Sequence, residues 1–150
     1  MSNPRSRTSS QNNSQIDIIF YDGICGLCHH FVKFVLAHRH PSYIFYFAPQ
    51  QGLTFQAIKA SRQDIIVKQD SIVVLTKERQ FLIYSDAILY VCARLTGIWP
   101  TLEKVGKFLP KVLRDTLYKM ISHVRARLFE PPKALCPTDI PAEWKQLFLD

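Results

Sequence analysis

Apolar and polar positions along this chain switch between two periods. Ile16-Asp17-Ile18-Ile19-Phe20-Tyr21 is almost continuously apolar, which predicts a strand covered on both faces. Asp22-Gly23 is a turn pair. From Cys25 to Ala37 the apolar residues Leu27, Phe31, Phe34 and Val35 recur at helical spacing. They predict a helix with that stripe on the sheet and with His30 and Lys33 outward. Pro41 ends it, after the cations of His38-Arg39-His40. Tyr43 to Phe47 is aromatic and β-branched, a second strand, and Leu53 to Ala60 reads as a short helix.

Arg62 to Gln69 is ambiguous, with Ile65-Ile66-Val67 either a brief strand or an apolar anchor in a loop. Ser71 to Thr76 and Phe81 to Tyr84, joined by the polar turn Lys77 to Gln80, predict a hairpin. Ser85 is a candidate N-cap for a helix running from Ala87 to Leu95, which Gly97 closes. Pro100 and Pro110 each open a further helix. The longer, Lys111 to Phe129, places Leu113, Leu117, Met120, Ile121, Val124 and Leu128 on one face as a core-packing stripe. Lys111, Arg114, Lys119 and Arg125 lie away from that stripe. Pro131-Pro132 ends the helix, and a short segment around Trp144 and Leu147 finishes the chain. The order is β-α-β-α-β-β-α with extra C-terminal helices, a thioredoxin-like α/β arrangement. Its first crossover is parallel and its last two strands are antiparallel.

The chemistry concentrates at the first strand–helix junction, Cys25-Gly26-Leu27-Cys28-His29. There Cys25 falls at a helix N-terminus, whose unpaired N–H groups and partial positive charge favour a thiolate. Cys28 falls one turn deeper, within reach of a mixed disulfide on Cys25. A C-x-x-C beside a strand–helix pattern reads as a redox pair. The same residues fit the C-x-x-C-H haem attachment signature, but no export signal accompanies them and a strand leads into the motif. Half of a zinc site is a third reading, with His29, His30, His38, His40, Cys92 or Cys136 to complete it. Two packed, inert cysteines are the fourth.

Composition narrows the field. The chain has 150 residues, 47 % hydrophobic and 21 % charged, so it reads as one globular domain. Its four cysteines fit a reducing compartment rather than a disulfide scaffold. No apolar run is long enough to span a membrane. Residues 1–15 are Ser/Asn/Gln-rich, carry Arg5 and Arg7 and no acid, and read as a disordered tail. A cytoplasmic location is expected, with organellar targeting by the tail as the weaker alternative. The net charge is +7, and Lys104 to Arg127 holds seven Lys or Arg against Asp115 alone. No nucleic-acid motif accompanies that stretch, so a solvated basic helix face is favoured over a nucleic-acid or lipid partner.

The motif Asp22-Gly23-Ile24-Cys25-Gly26-Leu27-Cys28 resembles the D-G-x-C-x-x-C signature of the DCC family of thiol–disulfide oxidoreductases. The resemblance runs from about Ile16 to Cys136. It takes in Asp70-Ser71, Ser85-Asp86-Ala87, Trp99-Pro100, Leu113 to Tyr118 and Arg127-Leu128-Phe129. It implies one thioredoxin-like DCC-type domain over residues 16–150, with a helical extension from about residue 100. It also implies a redox function, acting on a protein disulfide or a small thiol, with no resident cofactor and with glutathione as a candidate co-substrate.

The site residues implied are Cys25, Cys28 and Asp22 for catalysis. Asp22 either moves a proton for the thiols or shapes the turn. Ser71, Ser85 and Asp86 are candidates for substrate binding. Ser85-Asp86 is similar to the polar pair that glutathione-binding domains place at a helix N-terminus; an ordinary N-cap is the simpler reading. The family pattern of thioredoxins and glutaredoxins has a cis-proline before the third strand, and Asp70-Ser71 stands there instead. Cys92 is expected in the core, and Cys136 is either a resolving thiol or, as favoured, a loop thiol. Cys25 is expected to be exposed, with a pKa below that of a free thiol. The alternative to an oxidoreductase is a non-catalytic binding module, metal-binding through the cysteines or docking a partner on its basic helical face.

Overall fold

A computed structural model describes residues 16–62, 71–134, 137 and 140–149. Four strands form one mixed sheet: β1 (Asp17–Tyr21), β2 (Phe45–Pro49), β3 (Val73–Leu75) and β4 (Phe81–Ile83), in the order β2-β1-β3-β4. β1 pairs parallel with β2 and antiparallel with β3, and β3 pairs antiparallel with β4. The helices are α1 (Gly26–His38), α2 (Leu53–Ser61), α3 (Tyr84–Cys92), α4 (Trp99–Phe108) and α5 (Lys111–Leu128), followed by a 3-10 helix at Ala142–Leu147. This is the expected thioredoxin-like arrangement: a parallel β-α-β half, an antiparallel β-β-α half, then extra helices.

The two-sided burial of β1 follows from its apolar run. Ile19 and Tyr21 face a core built with Val32, Val35 and Leu36 of α1 and Ala87 and Val91 of α3. Phe20 faces the opposite way, onto Phe55 of α2, with ring centroids 5.0 Å apart. The one carboxylate in the strand, Asp17, is buried but satisfied. It accepts from the Lys77 amide (2.8 Å) and the Tyr90 hydroxyl (2.9 Å), and pairs with Arg94 at 3.7 Å. Tyr21 continues to the C-terminal segment, where the Phe47 and Phe148 rings stack 5.4 Å apart and the Leu149 amide donates to the Phe47 carbonyl.

Several boundaries differ from those read in the sequence, each for a local reason. β2 starts two residues later than the aromatic run, because Tyr43 closes a turn onto the His40 carbonyl and Phe45 is the first residue opposite Asp17. It ends on Pro49, which has no N–H to give to a ladder, at the sheet edge. On α1, the row pressed into the sheet is Cys28, Val32, Val35 and Leu36. Leu27, Phe31 and Phe34 pack on its flank, half-buried. The helix is apolar over more than one row because it also meets the C-terminal helices: Phe34 stands edge-on to Trp99, centroids 4.7 Å apart.

α3 begins directly after β4, and Ser85 is not its N-cap. Tyr84 takes a positive φ of 53° at the joint, and Ser85 falls inside the first turn. Its hydroxyl donates to Asp115 of α5, and that carboxylate also accepts the Ser85 amide at 3.3 Å. The carboxylate at the positive end of α3 therefore comes from another helix. Pro110 is the N-cap of α5, one position ahead of the expected first-turn place.

The largest departure concerns α5 itself. Leu113, Leu117, Met120, Ile121, Val124 and Leu128 do share a face, but they are 45–71 % exposed rather than buried. Periodicity reports which positions lie together, not what covers them. α5 touches the body through another row, containing Asp115, Tyr118 and Arg125. Among the described residues no helix is long and apolar enough to cross a membrane. The N-terminal 1–15, the ambiguous Ile65-Ile66-Val67, Asp70 and Cys136 lie outside the described residues.

Candidate functional site: a buried dithiol at a helix N-terminus

β1 delivers Tyr21-Asp22 to the C-terminal edge of the sheet, and the chain turns there into α1. The turn is closed by the Cys25 amide donating to the Asp22 carbonyl (3.2 Å) and the Ile24 amide donating to Asp22 Oδ1 (3.1 Å). Cys25 is the N-cap of α1, and its Sγ accepts the Cys28 amide at 3.4 Å. The sulfur thus occupies the place where a serine or aspartate oxygen ordinarily caps a helix. Both thiols are free.

These contacts set the two thiols apart. Hydrogen bonding from the Cys28 thiol is the largest effect on Cys25 and pulls its pKa down to about 6, against the opposing push of burial. The Cys28 amide and the Arg125 guanidinium add to the lowering, and the Asp22 carboxylate opposes it. Cys28 moves the other way: its hydrogen bond to Cys25, then burial, then the Cys25 charge hold its proton on. The two thiols are therefore pushed in opposite directions, the asymmetry that dithiol exchange needs.

Cys25 is less exposed than its position suggested. It is 9 % exposed and Cys28 is 3 % exposed, so the expected order of depth holds while the expected exposure of Cys25 does not. The segment after α5 packs beside it. Phe129 and Glu130 close over the start of α1 so tightly that a Cβ on Gly26 would run into the Glu130 carbonyl oxygen. The Phe129 ring also lies 5.5 Å from that of His30.

Asp22 is buried and heavily used. Besides the Ile24 amide, Oδ1 accepts from Gln51 Nε2 at 2.8 Å, while Gln51 Oε1 accepts the Gly23 amide at 2.9 Å. Its Oδ2 pairs with Arg125 Nη2 at 3.4 Å, and Nη1 of the same guanidinium donates to Cys28 Sγ at 3.6 Å. Arg125 thus links the acid and the dithiol. Nothing in the sequence marks either residue for this role, since Arg125 falls on the outward face of α5 and Gln51 is an ordinary loop residue. The cation in contact with Cys28 is this arginine, while His29, the basic residue next to the motif, turns inward and donates Nε2–H to the Gly23 carbonyl at 2.9 Å.

The remaining sequence candidates lie nearby but are engaged within the chain. Ser71 is 2 % exposed, and its carbonyl accepts from Gln50 Nε2. The next amide, Ile72, donates to the Tyr118 hydroxyl at 2.9 Å, so the main chain entering β3 is held from α5. Ser85 bonds Asp115, and Asp86 pairs with Lys111 at 2.6 Å and Arg114 at 3.3 Å. Four cations of the basic stretch, Lys107, Lys111, Arg114 and Arg125, are paired with carboxylates of this chain. Cys92 is half-buried on α3, and burial pushes its pKa up. Among the described residues no group of three or more His, Cys, Asp or Glu side chains is placed to hold a metal ion.

Comparison with known proteins agrees with this geometry. The DCC1-like thiol-disulfide oxidoreductase family matches residues 19–131. A DCC family protein of Arabidopsis thaliana, described as chloroplastic, is 28 % identical over 119 residues, which is 75 % of this chain and 64 % of that protein. The chain therefore spans a little under two thirds of the length of that relative. No solved structure matches it significantly. The chain belongs to the DCC1-like thiol-disulfide oxidoreductase family.

Proposed function

We propose that this member of the DCC1-like family is a thiol–disulfide oxidoreductase whose working groups are Cys25 and Cys28. The observation that carries the reading is the Cys25 sulfur at the N-cap of α1, accepting the Cys28 amide at 3.4 Å. A sulfur in that place is stabilised as the thiolate, the form that attacks a disulfide. Cys25 attacks and forms a mixed disulfide. Cys28 then loses its proton and attacks the Cys25 sulfur, which closes the intramolecular disulfide and frees the second half of the substrate.

In this reading Arg125 and Asp22 are positioning residues with opposite electrostatic effects on Cys25. Asp22 closes the turn and holds the guanidinium; Arg125 stabilises the thiolate and accompanies Cys28. The contacts of Asp22 with Ile24, Gln51 and Arg125 support the turn-shaping role over proton transfer. A cytoplasmic or organellar setting is open to either form of the reaction, with protein disulfides or small thiols as substrates and glutathione as candidate co-substrate. Residues 1–15 remain a proposed tail ahead of the single domain.

The test is disulfide exchange with the wild type, Cys25→Ser and Cys28→Ser. Cys28→Ser should accumulate a mixed disulfide on Cys25, seen by mass spectrometry, and Cys25→Ser should be inactive. Undiminished exchange in both variants would overturn the reading.

A further inference from the structure

Between α1, α3 and the C-terminal helices lies a cavity of about 410 Å³. Its wall is apolar: Leu27 and Phe31 of α1, Leu89 of α3, Leu109, and Leu117 and Ile121 of α5. Cys28 and Arg125 lie in the same wall, 3.6 Å apart. The volume is in the range that holds a small organic ligand. Leu117 and Ile121 are 47 % and 57 % exposed, so the apolar lining that includes Cys28 also reaches the solvent-facing side of α5.

Dithiol exchange by itself asks only that Cys28 reach Cys25. It does not ask that Cys28 open onto an apolar chamber, and a chamber lined by half-exposed leucine and isoleucine is a surface that a monomer ordinarily buries. Resting on the dithiol reading, we infer that the substrate is a small organic disulfide carrying an apolar substituent, which seats in this cavity while its sulfur bonds to Cys25.

The Cys25 thiolate attacks one sulfur of R–S–S–R′. The S–S bond breaks, Cys25–S–S–R forms, and R′S⁻ leaves and takes a proton from water. R, the apolar group, lies against Leu117, Ile121 and Phe31 beside Cys28. The Cys28 thiol gives its proton to water and attacks the Cys25 sulfur, releasing RS⁻, which is protonated in turn. The substrate has gained two electrons and two protons, and the protein holds the oxidation as a Cys25–Cys28 disulfide. Two equivalents of a small thiol return it to the dithiol. The burial of R, not contact with the leaving half, sets the preference.

The probes are methyl, butyl and octyl methanethiosulfonate, which transfer R–S to a thiolate and release the same methanesulfinate in every case. Rates of Cys25 modification are read by mass spectrometry on Cys28→Ser, which retains the adduct, with iodoacetamide in parallel as a probe too small to need the cavity. The octyl-to-methyl rate ratio should exceed that of a free-cysteine peptide by at least about tenfold. Leu117→Gln and Ile121→Gln, added separately, should bring the ratio down to that of the peptide and leave the iodoacetamide rate unchanged. Both positions are half-exposed, so neither change threatens folding. A ratio equal to the peptide's, or one that survives both substitutions, overturns the cavity inference; Cys25 outpacing Cys92 toward iodoacetamide would then leave the dithiol reading standing. If Cys25 does not outpace Cys92 toward iodoacetamide, the dithiol reading falls and the inference falls with it.

Discussion

The guanidinium of Arg125 lies 3.4 Å from the carboxylate of Asp22, across 103 residues of sequence. It joins the last part of α5 to the turn that presents the cysteines, and it makes α5 part of the dithiol site. The two charges act on Cys25 with opposite sign. Arg125→Gln should therefore move the Cys25 midpoint to higher pH and slow its alkylation at about pH 5 by roughly three- to tenfold, as expected for loss of a nearby opposite charge. Arg125→Lys should recover part of the rate. Asp22→Asn keeps an oxygen for the Ile24 amide and Gln51 but removes the negative charge. It should move the Cys25 midpoint to lower pH while lowering the thermal midpoint, because Arg125 loses its charged contact with Asp22 in a mostly buried place. Shifts of the same sign in both variants would contradict this arrangement.

Gly26 is fixed by close approach. Because a Cβ there would meet backbone at Glu130, Gly26→Ala must displace the 129–130 segment from the start of α1. The expected cost is about 1–3 kcal/mol in urea denaturation, with a changed alkylation rate at Cys25 as the helix start beside it shifts. An unchanged midpoint together with an unchanged alkylation rate would mean the segment does not lie there.

Tyr118 is the tie between α5 and the start of β3. Tyr118→Phe leaves the Ile72 amide without its acceptor, which should destabilise the protein by about 1–2 kcal/mol. Chemical denaturation measures it, and a neutral result would place Ile72 N–H in contact with water instead.

Much of this was legible in the sequence. The apolar run of Ile16 to Tyr21, the turn pair and the C-x-x-C fixed the strand–dithiol–helix unit, because each signal acts over a few residues. The hairpin was legible for the same reason. Arg125 was not, since its role depends on where a separate helix docks, and nothing in its neighbours separates it from Lys119 or Arg127. The exposed stripe of α5 was misread in the same way: Leu113 and Leu117 share a face whether or not anything covers it. Ser85 had the composition of an N-cap, but a carboxylate from α5 supplied the negative charge at that helix end.

The stability of the reduced protein should depend on pH through Cys25. Its pKa is lowered from 9.0 to about 6 on folding, so between those values the unfolded chain holds a proton there that the folded one lacks. Stability then rises with pH across about 6 to 9 and is lost as pH falls through 6. Cys28, whose pKa is raised, contributes in the opposite sense, and only above its unfolded value of 9.0. Urea midpoints of reduced wild type should climb by an amount equivalent to roughly 1–3 kcal/mol over that window. Cys25→Ser should lack this component of the climb. Equal pH profiles for the two proteins would contradict the lowered thiol.

The most direct measurement is the pH dependence of iodoacetamide alkylation, read by mass spectrometry at each cysteine of the reduced full chain. The account predicts that Cys25 reacts first, with a midpoint near pH 6, while Cys92 and Cys28 remain slow at neutral pH. If Cys25 reacts no faster than Cys92, or shows the midpoint of a free thiol, the sulfur at the head of α1 is not an activated nucleophile and the oxidoreductase reading is wrong.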